Sequence, residues 1–425
     1  MAYWFHRNPL KATAPVNYEL HGVSTNDATR KIFSDLRMSR TKLLELLTDP
    51  GQARDVVDKA HAEYLGLLQG MCTPIDPSEP ENKLRKLIKY KWSNTLLGNI
   101  PVEYTDTAFE YFSMLFNVAL WFTKHAAKIA AKEDPDMEEA KEIHKCLRTA
   151  AGIFKFCKDD LRSKLFDAPS EGAHDTDTRV LDAYIHQCTA EAQEITLARA
   201  IEMKHNVNLI SALAYETAEM YQKGDDALAS LDQKDVGKWR KYFQLKNKFY
   251  MACAHSYHGE NLLNQDKCGE AIRGLRESVD LYGKAELLCK DYATAKGVGT
   301  TAKPQNHLFF RKLGAVIKRT LDKCERENGL IYHQKIAPDA PLLELKATYG
   351  LVSPEDYKPP ALSQLWSLDV YKKYATPAAA AKPPPEKVKS SGKDEQPAAP
   401  LPSVKEKEVP MSDKDPKNNS GCVVS

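Results

Sequence analysis

The residues whose chemistry is most explicit are the last four. Cys422-Val423-Val424-Ser425 has the C-a-a-X form read by protein prenyltransferases. Such an enzyme needs a thiol that it can activate as a zinc-bound thiolate close to a free carboxylate. Two aliphatic residues fill its pocket, and a small final residue selects the shorter lipid, farnesyl. Cys422 is therefore predicted to carry a covalent farnesyl group. One such chain holds a protein at a membrane only weakly and reversibly, so a second signal is expected. The upstream residues are not polybasic. A membrane-associated partner bound elsewhere on the chain would supply that signal by avidity.

Two other groupings invite chemistry and do not carry it. Cys253, His255 and His258 could share a helix and offer metal ligands, but no HExxH pattern or second ligand cluster accompanies them. They read as a helix-packing segment. The run Lys296-Gly-Val-Gly-Thr-Thr-Ala-Lys-Pro lacks Walker spacing and follows no strand, so it reads as an inter-helix loop. Nucleophile-elbow, kinase and dinucleotide signatures are missing. No catalytic, cofactor-binding or metal residue is predicted, and the chain reads as a non-enzyme.

Composition narrows the classes further. The 425 residues are 42% hydrophobic and 28% charged, with a net charge of +2. That apolar content is globular, and near-neutrality gives no general pull toward nucleic acid or anionic lipid. The most apolar stretch, 108–122, is too short to span a bilayer and contains Glu110 and Asn117. With no secretory signal, the protein is expected in the cytosol, peripherally attached to membranes by its lipid. The nine cysteines are scattered singly, which suits buried small hydrophobes in a reducing compartment.

The elements that position these residues follow from periodicity. Residues 1–30 look extended, with Pro9 and Pro15. From about 30 to 350, amphipathic stretches separated by turn signals predict helices over 25–47, 106–131, 137–158, 178–205, 207–223, 235–264, 268–295 and 304–328. The fold class is all-α with a minor N-terminal β element. Residues 212–231 and 254–275 look alike at an offset of about 42–44 residues, each read as helix, polar turn, helix. That suggests a tetratricopeptide-like solenoid whose surfaces bind proteins. Between Thr376 and Gly421 lie nine prolines, eight lysines and seven acidic residues, a linker unable to fold alone. It would reach roughly 40 Å.

Particular stretches carry a resemblance. WFHRNPLKATAP (4–15), FNVALWFTKHAAKIA (116–130), TAAGIFKF (149–156), AEAQEITLARAI (190–201), CGEAIRGL (268–275) and NGLIYHQKI (328–336) together resemble the Bro domain family, which includes the Alix-type adaptors of the ESCRT pathway. The resemblance covers about residues 1–360. With the CVVS end, it extends to a family member built of a single Bro domain and a prenylated C-terminus. It implies a boomerang-shaped domain at 1–360, with a tetratricopeptide-like core. A short extension at 361–375, a disordered linker at 376–421 and the lipidation motif at 422–425 would follow.

It also implies that an apolar concave surface binds the C-terminal amphipathic helix of ESCRT-III subunits, the charged multivesicular body proteins. The floor of that surface would lie around Ala192-Gln193-Glu194. Partner contacts would fall on Lys141, Leu209 and Leu213. The family's aromatic contact falls here on Thr196, a departure. Leu209 and Leu213 are four apart and share a helical face, which serves either a core or a partner. The expected work is ESCRT-dependent membrane remodelling at endosomes or the nuclear envelope, with no nucleic acid and no small-molecule substrate. The alternative is a tetratricopeptide-like co-chaperone that clamps acidic C-terminal peptides, for which Asn206, Asn208 and Asn261 are the available side chains.

Overall fold

The computed structural model describes residues 5–20, 23–24, 26–132, 135–165, 172–300, 308–343, 346–374 and 399–407. Ten helices carry these residues: α1 (Asp27–Leu47), α2 (Arg54–Cys72), α3 (Thr107–Ala130), α4 (Met137–Phe156), α5 (Thr178–Glu202), α6 (Val207–Leu228), α7 (Gln233–Leu263), α8 (Cys268–Thr294), α9 (Leu308–Glu327) and α10 (Leu368–Lys372). Most starts share one device. Asn26, Asp106, Asp136, Asp177, Asn206 and Asp232 each turn a side-chain oxygen onto a free backbone N–H of the first helical turn. Asn26 and Asp136 complete capping boxes with Thr29 and Glu139.

Successive helices from α3 to α9 pack on their sequence neighbours, so the body is a stack of antiparallel hairpins. The apolar run in α3 is buried nearly all round, as its composition requires. Within this core, Glu110 accepts from the Trp92 indole at 2.6 Å and the Tyr64 hydroxyl at 2.8 Å, and pairs with Arg40 at 2.8 Å. A buried carboxylate without such partners would be strongly destabilising.

Three expectations change. The sheet lies beyond the first thirty residues: β1 (Tyr90–Trp92) pairs antiparallel with β2 (Val102–Tyr104). The N-terminal segment adds an isolated bridge, Thr13 to Trp92. Its backbone is satisfied mainly by side chains instead, as Lys11 N–H donates to Asn117 Oδ1 and Ala12 N–H to Ser93 Oγ. Buried pairs hold it in place, Arg7 with Glu191 at 2.7 Å and Lys11 with Asp175 at 3.1 Å.

The helix α2 was not anticipated. The apparent repeat also fails as a structural equivalence. Its first copy lies within α6 and the turn after it, and the expected polar turn around Gly224 is helical. There Gly224 admits the Phe243 ring against the helix backbone.

The body continues past residue 360. From 334 to 367 the described residues form an extended strap that crosses α8, α6, α4 and α2 in turn. Gln334 and Lys335 meet α8 at Gly269. Glu355 N–H donates to the Arg148 carbonyl on α4 at 3.1 Å, and Ser363 N–H to the Gly66 carbonyl on α2 at 3.0 Å. Trp366 then seats its ring on Gly70 and donates its indole N–H to the Leu67 carbonyl at 2.7 Å. The strap can lie this close because the helices present glycine at the crossings. A Cβ on Gly152 would overlap the Glu355 carbonyl, and one on Gly66 would sit 2.8 Å from the Ala361 oxygen.

Candidate functional site

The groove beside the strap is assembled around Ala192-Gln193-Glu194 on α5. Ala192 is fully buried. Gln193 clamps the strap with both ends of its amide, donating to the Gly350 carbonyl at 2.9 Å and accepting from Val352 N–H at 2.8 Å. Glu194 points the other way, into the core. It pairs with Lys246 of α7 at 2.7 Å and accepts from the Tyr221 hydroxyl of α6. Burial raises the Glu194 pKa and lowers that of Lys246, and each partner opposes the other's shift. The three-residue motif thus fixes α5 to α6 and α7 with one residue and to the strap with the next.

Gly350 takes a left-handed φ of +80°, which turns the strap over α5 and α6. A Cβ there would stand 3.4 Å from Leu213 and 3.7 Å from Thr196. The structure therefore brings Thr196 and Leu213 together beneath the strap. Leu213 is 1% exposed and belongs to the core, while Thr196 is half-buried. Leu209, one turn earlier on α6, is also a buried core residue, 8% exposed, but it borders an adjoining cleft of ≈ 930 Å³ with Ala212, His258, Leu262 and Tyr349. Lys141 stands apart from this cleft. It is exposed, pairs with Glu138 at 2.7 Å, and precedes Arg148 by two turns of α4. Arg148 donates to the strap at Ser353, so Lys141 shares the strap side of that helix.

Sequence reasoning missed the strap's own contribution. Tyr349 is 59% exposed, Leu351 51% and Leu342 77%. Tyr349 and Leu342 border the cleft beside Leu209. The signal was present as a run of large apolar residues after α9 with neither helical nor strand period. Asn206, Asn208 and Asn261 converge on the same cleft, as do Lys267, Lys346 and Glu270.

Cys253, His255 and His258 do not converge. Cys253 lines a separate cleft between α5 and α9, whereas His258 faces the strap. Burial pushes the His255 pKa down to about 4 and lowers that of His258. Cys422 and the rest of the C-a-a-X end lie outside the described residues. Among the described residues, no helix is long and apolar enough to cross a membrane.

The fold is thus a helical stack crossed by an extended strap, with a cleft of mixed polar and apolar lining at the crossing. A BRO1-like domain model matches residues 17–376, and the chain belongs to that family. It is 54% identical to the BRO1 domain-containing protein BROX of Xenopus tropicalis over 87% of this chain and 90% of that protein. It is 50% identical to the Danio rerio BROX over the whole of both, and 53% identical to the Homo sapiens BROX over 86% and 89%. A solved complex of the ALIX BRO1 domain with CHMP4C has a TM-score of 0.65 at 19% identity, covering 87% of this chain and 99% of that one. A Bro1 domain solved in a study of endosomal targeting gives 0.63 at 21%, over 88% and 98%.

Proposed function

We propose that this protein is a membrane-tethered adaptor. Its strap-side groove would take the C-terminal amphipathic helix of ESCRT-III subunits, and a farnesyl group on Cys422 would hold the body at the bilayer. The observation that carries the reading is the cleft itself, where Leu209 stands beside the exposed strap residues Leu342 and Tyr349. The ALIX BRO1 domain, which shares the fold, was solved with CHMP4C.

Recognition would be helix-in-groove. Each partner Leu or Met removed from water against this surface contributes about 1.5–3 kcal/mol before ordering costs. Lys267 and Lys346 would meet acidic residues at the rim, and Lys141 would meet them farther along the strap side, setting register more than affinity. A modest single-site affinity follows, and a polymeric partner together with the lipid multiplies it.

The test is titration of the full chain with C-terminal helical peptides from ESCRT-III subunits, against a Leu209→Ala/Tyr349→Ala variant. Leu213 is left intact because its burial beneath Gly350 makes it a folding residue. Loss of two apolar contacts predicts at least about tenfold weaker binding with unchanged circular dichroism. Equal binding by both proteins would place the site elsewhere. Binding only by acidic peptides lacking an apolar face would favour the co-chaperone alternative, using the three asparagines and two lysines of the cleft.

A further inference from the structure

Residues 399–407, APLPSVKEK, come from the stretch expected to be linker, yet they lie extended against the body. Contacts run the length of the segment. Leu401 N–H donates to the Asn99 carbonyl at 2.9 Å, and Asn99 Nδ2 donates to Ser403 Oγ at 2.6 Å. Val404 packs on the main core. Glu406 accepts from Leu10 N–H at 2.9 Å, and Lys407 N–H donates to the Thr48 carbonyl at 2.9 Å. The Lys407 ammonium lies 2.8 Å from Asp49.

The central contact is between Glu406 and Lys124, 2.7 Å apart, with the lysine side chain only 6% exposed. Burial lowers the Lys124 pKa, Arg7 adds to that, and Glu406 opposes it. Desolvating an ammonium in this way is costly unless a carboxylate is supplied. The tail supplies it.

We propose that residues 399–407 are a docking motif that latches the tail to the body. The surface formed by Leu10, Thr48, Asp49, Asn99 and Lys124 is then a binding site for an extended peptide bearing this Leu, Ser, Val, Glu, Lys pattern. Its occupant is the chain's own segment. This surface uses the end of α1, the β1–β2 loop, α3 and the N-terminal segment, whereas the strap-side cleft uses α6, α7 and α8, so the two can be filled at once.

The latch sets where a tether begins. Released, the tail leaves the body at Tyr374, 48 residues before Cys422, with a reach of about 38 Å. Latched, it leaves at Lys407, 15 residues before Cys422, with a reach of about 21 Å. The α1–α2 turn would then face the bilayer. That consequence rests on the farnesyl reading, and the latch itself does not. The 24 residues at 375–398 keep the motif near its site, at an effective concentration of order millimolar. A docking Kd about tenfold below that keeps the latch mostly closed, and a membrane or a competing peptide at millimolar concentration can still tip it.

The test uses the unlipidated full chain, so that its outcome is separate from that of lipidation. Amide hydrogen exchange of Leu401 and Lys407 is compared with a synthetic peptide of residues 396–410. Exchange at least about tenfold slower in the chain is expected. The variant Glu406→Lys sets like charges together from the tail side, where it leaves the body's own fold intact. It should return both amides to the peptide's rate and speed exchange at Leu10, while Lys405→Glu, at an exposed position, should not. Adding the free peptide at millimolar concentration to the Glu406→Lys chain should slow Leu10 again. Peptide-rate exchange at Leu401 and Lys407 in the wild-type chain would overturn the latch. Failure of the free peptide to protect Leu10 would overturn the peptide site.

Discussion

His6 lies 1% exposed beneath α7 and α8, bonded to Asn8 Oδ1 at 3.1 Å and the Tyr292 hydroxyl at 2.9 Å. Burial pushes its pKa down to about 3. Since the folded value is below the unfolded one, the unfolded chain takes up a proton below pH 6.5 that the folded chain refuses. The His6 contribution to stability is full above pH 6.5 and is lost as the pH falls toward 3, by about 1.4 kcal/mol per unit. Urea unfolding at pH 7 and pH 5 should therefore show about 2 kcal/mol more acid sensitivity in the wild type than in His6→Gln. Equal sensitivity would mean that His6 is protonated in the folded state. Residue chemistry was unevenly legible in the sequence. The family pattern pointed to Leu209 and Leu213 together, but four-residue spacing alone could not separate the one that faces a cleft from the one that Gly350 covers. Tyr349 was not singled out because the apolar run that holds it has no period to mark which of its residues a strap would expose.

At the scale of elements, the amphipathic helices were read from their period and caps to within a few residues, apart from α2 and the later end of α6. The helix α2 escaped because Ala53 offers no side-chain cap at its start and most of its buried residues cluster in its second half. The strap escaped because its partners are helix glycines distant in sequence, and a helical pattern says nothing of what crosses it. Gly152 makes that dependence measurable. Alanine there would press on the Glu355 backbone, whereas Gly283, on α8, has nothing within 4 Å of an added Cβ. Gly152→Ala should destabilise by about 1–3 kcal/mol and speed exchange of the Glu355 amide. Gly283→Ala should be neutral or stabilise by up to about 1 kcal/mol. Equal thermal shifts for the two would remove the strap contact from the account of stability.

For the whole molecule, the sequence reading placed a domain at 1–360, a short extension at 361–375 and a linker from 376; Trp366 and Tyr371 of the extension bond to the body, and so does Lys407 from the linker. If Cys422 carries the lipid, prenylated wild type should partition onto vesicles bearing no partner only weakly, and Cys422→Ser should lose even that. Undiminished sedimentation of the variant with vesicles would place membrane attachment on the body. The N-terminal segment carries one further consequence, which concerns synthesis. Arg7 is buried against Glu191 and takes Thr300 N–H on its carbonyl, and the strap returns to Gly66 from Ser363. On a ribosome that adds 5–20 residues per second, about 15–60 s separate Arg7 from Thr300. Throughout that interval the first residues of the chain have no finished place to go. High contact order of this kind slows the final step of folding, and the nascent N-terminus is the part that must wait longest for it.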